Sequence, residues 1–197
     1  MRRTQGERRQ ESETRLIAAA VKLISEKGAN GFTLAEVGHE AGYSRSLPGH
    51  YFDTKEQLLA KVVEHITDES LANITNRYAE RGLASIEEHW LQSLREKSVE
   101  THRTRALYAL FLEAMFDPEL AKIMARYNRR AVDLIAQDLQ LEIEKGVMRK
   151  DVDVMLEAQA LLAFRRGATL VRFNDPDFDL LKMLGDYLVS VRERLKA

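Results

Sequence analysis

The chain of 197 residues has no cysteine, three prolines, ten glycines and one tryptophan. Without cysteine there is no disulfide scaffold, thiolate zinc site, iron–sulfur cluster or cysteine nucleophile. The simplest expectation is a protein of the reducing cytoplasm. Long hydrophobic runs are missing too. The longest, Ala106 to Leu112, is far short of the roughly 20 residues a membrane helix needs. The opening residues, MRRTQGERRQ, have no apolar stretch behind them and do not read as a secretory signal. Charge of one sign is lacking: 30 Lys and Arg against 31 Asp and Glu leave a net −1, so overall charge selects no partner. No glycine-rich phosphate loop follows a strand. The five histidines lack metal-ligand spacing such as His-x-x-x-His, and no local nucleophile motif is present. Neither an enzyme nor a cofactor is expected.

What is present favours helix. Leucine and alanine account for 26 and 22 residues, against 20 for valine plus isoleucine, and that usage disfavours strands. The pattern predicts an all-α chain of nine helices. The first spans about Ser12 to Lys27, with Leu16, Ile17, Ala20, Val21, Leu23 and Ile24 inward. Thr33 with Glu36 forms a capping box that opens a short second helix ending near Ala41 and Gly42. Ser44 caps a third, Arg45 to Tyr51. A long fourth starts at Asp53 or Thr54 and keeps its apolar period, through Leu71, Ile74 and Tyr78, to about Arg81. A fifth follows Ser85, with Ile86, Trp90, Leu91 and Leu94 inward. A sixth carries Leu107 to Met115. Asp117-Pro118 restarts the chain as cap and first helical position, and Gly146 closes that seventh helix. The last two span about Val152 to Phe173 and Phe178 to Leu195. Short helices and tight glycine turns fill residues 1–53. Longer helices fill 54–197. Arg2, Arg3, Arg8 and Arg9 oppose only Glu7 in the first ten residues, a short basic arm of the kind found beside nucleic acid.

Residues 33–51 read TLAEVGHEAGYSRSLPGHY: helix, glycine turn, second short helix. A helix-turn-helix needs this economy, because the second helix must present its first residues to base edges in the major groove. Gly42 accepts a positive φ at no steric cost. Leu34, Val37 and Ala41 are expected to pack inward, with Gly38 letting the two helices approach. Phe52 is expected to anchor the segment in the core, and Lys55 follows in the first turn of the next helix.

The string Thr33…Ala41-Gly42-Tyr43-Ser44-Arg45…His50-Tyr51-Phe52-Asp53-Thr54-Lys55-Glu56-Gln57-Leu58-Leu59 resembles the TetR family of bacterial transcriptional regulators, over about the first 60 residues. The resemblance implies a ligand-responsive repressor: a homodimer on a palindromic double-stranded DNA operator, released by a small-molecule effector. It implies base reading by Arg45, Leu47 and Gly49 and phosphate contacts by Thr33, Tyr51 and Lys55. Ser44, Ser46 and His50 are expected to add contacts. This chain departs from the family in having Gly49 where tyrosine is common and Pro48 inside the recognition helix. A shortened or distorted helix is expected there. The alternative is a helical small-molecule-binding or adaptor protein without sequence-specific DNA binding.

The remainder, 54–197, is expected to bind the effector and to dimerise. Trp90, Tyr108, Phe111, Met115, Met124, Tyr127 and Phe164 fall mostly on inward faces and suit an apolar or amphipathic ligand. The eighth helix is apolar or small on two faces. One face is Leu156, Ala160, Ala163, Gly167 and Leu170. The ninth presents Leu181, Leu184, Leu188 and Val191. A helix apolar on two sides must be covered on two sides, most simply by the same pair from a second copy.

Overall fold

A computed structural model describes residues 4–77, 81–95 and 101–197, with side chains at 4–67, 81–90 and 101–197. The expected core positions Leu71, Ile74, Tyr78, Leu91 and Leu94 lie outside those described side chains. Among the described residues, eight α-helices and one 3-10 turn account for the regular structure: α1 Gln5–Lys27, α2 Leu34–Glu40, the 3-10 turn Leu47–His50, α3 Lys55–Arg77, α4 Leu83–Arg95, α5 His102–Glu113, α6 Pro118–Glu144, α7 Val154–Asn174 and α8 Leu180–Leu195. Among the described residues the only β pairing is an isolated bridge between Met148 and Lys196.

Most helix boundaries follow local chemistry. Asp117 Oδ1 accepts from the Glu119 and Leu120 amides at 2.9 and 3.1 Å, as its cap role predicts, and Gly146 ends α6 at φ 73°. Asp153 and Asp179 cap α7 and α8. Two boundaries near the N-terminus differ from expectation. First, α1 begins at Gln5, not Ser12. Thr4 and Glu7 form a full capping box, so residues 5–10 of the basic arm are helix and not tail. Second, the third helix is a 3-10 turn confined to Leu47–His50. Ser44 does not cap it; its Oγ lies 3.3 Å from Ser46 Oγ, and Ser46 stands at the N-cap without a side-chain bond to the turn's backbone. Pro48 lacks an N–H and Gly49 disfavours α-helix, so the shorter, tighter turn forms.

The chain forms two compact units. The first takes residues 1–69 and 100–125 and so runs past residue 53. Its core holds Leu16, Ala20 and Ile24 of α1, Phe32, Val37, Phe52, Leu58, Val62 and Ile66, with Ala106 and Leu110 of α5. α5 packs along α1, and His102 Nδ1 lies 2.6 Å from Ser25 Oγ. Each such leucine or isoleucine taken from water contributes about 1.5–3 kcal/mol. That burial holds short elements such as α2, which alone would not persist. Leu34 and Ala41 are half-buried, while Leu112, Met115 and Phe116 are exposed. Met115 was expected inward. It lies outside because α5 stops at Glu113 and the chain turns toward α6.

The second unit takes residues 70–99 and 126–197. Trp90 of α4 packs with Leu139 of α6, Leu161 of α7 and Leu184, Leu188, Val191 and Leu195 of α8. At the start of α4, Asp138 is almost fully buried and accepts from Arg81 Nε at 2.5 Å, the Gly82 amide at 3.2 Å and Ser85 Oγ at 3.4 Å. Ser85 sits inside the first turn of α4, not ahead of it.

Candidate nucleic-acid interface

Thr33 Oγ1 accepts from the Glu36 amide at 3.3 Å, and Glu36 Oε2 accepts from the Thr33 amide at 2.8 Å. This reciprocal pair fixes the start of α2. The other Glu36 oxygen takes Lys27 Nζ at 2.8 Å. The Lys27 hydrogen bond, followed by those from Thr33, holds the Glu36 pKa down at about 2.

α2 closes through Gly42 at φ 76°, with the Tyr43 amide donating to the Gly38 carbonyl at 2.8 Å. The chain then doubles back across Gly38. A β-carbon there would stand 2.5 Å from the Ser44 carbonyl oxygen and 3.0 Å from Pro48 Cδ, so only glycine permits this approach. Pro48 is buried against it. Past Pro48, the Tyr51 and Phe52 amides both donate to its carbonyl, at 3.0 and 2.9 Å. Phe52 is 2% exposed and pins the far end of the turn, as expected. α2 and the 3-10 turn thus form one rigid corner.

That corner presents Ser44, Arg45, Ser46, Gly49 and His50 to solvent, with Leu47 and Tyr51 half-buried. Nothing within 4 Å occupies the side-chain position of Gly49. Lys55 stands at the first position of α3, which Thr54 caps by accepting from the Gln57 amide at 3.2 Å. Lys55 is partly tucked in. Its Nζ donates to the Phe32 carbonyl at 2.8 Å and lies 4.3 Å from the Phe32 ring centre, and burial lowers its pKa. Three capped or closed chain reversals therefore bring Thr33, the 44–51 segment and Lys55 into one unit. Arg9, which the sequence offered only as one charge of the basic arm, has its guanidinium 5.5 Å from the Tyr51 ring centre.

The expected ligand residues divide between the two units. Tyr108, Phe111, Met115 and Met124 belong to the first, where Tyr108 and Phe111 meet edge to face at 6.2 Å. Trp90, Tyr127 and Phe164 belong to the second. There Phe164 stacks on Tyr187 at 3.6 Å, and Arg165 lies over Trp90 at 5.7 Å. Arg166 lies over Tyr127 and donates to Asn128 Oδ1 at 2.7 Å.

On α7 the stripe Leu156, Ala160, Ala163, Gly167 and Leu170 is exposed along its whole length. On α8 the expectation is corrected at three of its four positions. Leu181 is exposed, but Leu184, Leu188 and Val191 are at most 2% exposed inside the chain's own core. The exposed apolar residues of α8 are Leu181, Met183 and Val189. Periodicity found the apolar side of the helix and chose the wrong row of it.

Residues 16–62 match the family described as bacterial regulatory proteins, tetR family, and residues 82–191 match the BetI-type transcriptional repressor, C-terminal family. The chain is similar to the HTH-type transcriptional regulator CymR of Pseudomonas putida, 44% identical over 77 residues, which is 37% of this chain and 38% of the relative. The chain thus spans well under half the length of the curated relatives it matches. Its fold is similar to that of a TetR-family transcriptional regulator from Agrobacterium tumefaciens, with TM-score 0.77 and 20% identity over 95% of this chain and 99% of the other. It is also similar to that of SmeT, repressor of a Stenotrophomonas maltophilia multidrug efflux pump, in complex with triclosan. There the TM-score is 0.77, with 20% identity over 92% and 90% of the chains.

Proposed function

From the premise that the chain belongs to the TetR family of bacterial regulatory proteins, with a BetI-type C-terminal domain, we propose that it is a ligand-released transcriptional repressor acting as a homodimer on a palindromic operator in the cytoplasm. The observation that carries this reading is the rigid corner at Gly38 and Pro48, which leaves Arg45, Ser46 and Gly49 exposed on one short turn. Arg45 pairs with a guanine through two hydrogen bonds. Leu47 and the bare Gly49 allow close approach to the groove, and Ser44, Ser46 and His50 add polar contacts. Thr33, Tyr51 and Lys55 meet phosphates. These last contacts supply affinity and register, and the base contacts supply choice.

In this reading residues 1–53, together with Lys55, carry the DNA contacts, and the rest of 54–197 binds the effector and the second copy. The exposed α7 stripe and Leu181 of α8 support a two-fold interface of α7 and α8 from each protomer. An aromatic effector is supported by the Trp90, Tyr127 and Phe164 group, and by the triclosan bound to SmeT. A coupling of about 1–3 kcal/mol between effector and operator suffices for release.

The test is selection of bound duplexes from a random DNA pool at two salt concentrations. An enriched palindrome with steep salt dependence is expected. No enrichment even at low salt would overturn the reading and favour a helical small-molecule-binding protein.

A further inference from the structure

We propose that Arg9 is a further DNA-backbone contact, set against the recognition turn by the ring of Tyr51; this rests on the DNA-binding reading above. Four observations carry it. The Thr4–Glu7 capping box starts α1 early, so Arg9 occupies a fixed helical position and not a flexible tail. Its guanidinium lies 5.5 Å from the Tyr51 ring centre. Tyr51 is itself packed on the buried Phe52, ring centres 6.2 Å apart. A line of contact therefore runs from the core through two aromatic rings to an exposed cation. Finally, the acids closest in sequence are engaged elsewhere. Glu7 accepts from the Thr4 amide at 2.7 Å, and Glu11 accepts from Arg15 at 2.8 Å. Arg9 makes no ion pair among the described residues.

A guanidinium stacked on a ring uses only its face. The N–H groups point outward around its edge, in the planar fork that suits a phosphate. Side-chain entropy that a free arginine would lose on binding is already partly lost to the stack, which favours the contact. The ligand is the sugar–phosphate backbone, not a base, because Arg9 stands on α1 over the ring of Tyr51, itself read above as a phosphate contact.

The experiment uses the full chain and the duplex recovered from the random pool, titrated across a series of salt concentrations. Arg9→Ala is expected to weaken binding to the operator and to unrelated duplex alike. It should lower the slope of log affinity against log salt by about two for a dimer, one per half-site. The thermal midpoint should stay unchanged. Arg9→Lys, which keeps the charge, should restore most of the slope. Unchanged affinity and slope in Arg9→Ala would overturn the proposal. So would weaker binding at unchanged slope with a lowered thermal midpoint, which would make the stack a purely internal support. If the wild-type chain recovers no duplex at all, the DNA-binding reading itself fails, a result distinct from a silent Arg9→Ala.

Discussion

At Gly38 the space for a side chain is taken by the Ser44 carbonyl and the Pro48 ring. Gly38→Ala must push the recognition turn off α2, and overpacking of this kind costs about 1–3 kcal/mol. Urea unfolding should show that loss, accompanied by weaker operator binding. Lys55→Ala removes the bond to the Phe32 carbonyl and should cost about 1 kcal/mol of stability; it should also weaken binding to all duplexes alike and lower the salt slope by about one per half-site, and an unchanged slope would remove Lys55 from the phosphate contacts. Glu36 gives a pH signature. Its pKa is held near 2, below the ordinary 4.5, so its stabilising tie is complete above about 4.5 and is lost as pH falls toward 2. Carboxyl NMR titration should place Glu36 there, and Glu36→Gln should remove that part of the acid sensitivity. The caps at Thr33 and Thr54 and the turn at Gly42 were legible because each depends on one or two neighbouring residue types. Arg9 against Tyr51 was not, because no local rule relates residues 42 positions apart in sequence.

At the scale of elements, sequence pattern located the described helices and misjudged the starts of α1 and α4 and the form of the turn at Leu47–His50. The amphipathic signal of α1 begins at Leu16, and its first turns are polar on all sides, so only the Thr4–Glu7 spacing marked the true beginning. The recognition segment was read as α-helix from its exposed and inward positions. Pro48 and Gly49 outweigh that pattern, and a 3-10 turn results. α4 shows the opposite dependence, on a distant partner. Its first turn is held by Asp138 of α6 through Arg81, the Gly82 amide and Ser85. Asp138→Ala would leave buried donors unmet and should cost about 3 kcal/mol, measured by denaturant unfolding. A loss within error of zero would mean that solvent replaces the carboxylate at no cost.

For the whole molecule, the proposed assembly rests on the exposed α7 stripe. Ala163→Glu places a charge at its centre. The expected outcome is a monomer near 22.6 kDa in sedimentation, with unchanged helicity and lost operator binding; a persistent dimer would place the interface elsewhere. The sequence identified α7 as apolar on two faces and α8 as carrying an apolar row. It could not say which row each protomer keeps for itself, because that depends on packing against Trp90 and Leu139. The single-turn reader between Ser44 and His50 has an informational consequence. One turn can inspect only a few letters, and a genome contains such short words by chance at a great many places. In the proposed dimer, discrimination is multiplied by a second reader at a set distance. A lineage carrying this protein would retune its targets by shifting the spacing between the two readers as readily as by changing the residues that read.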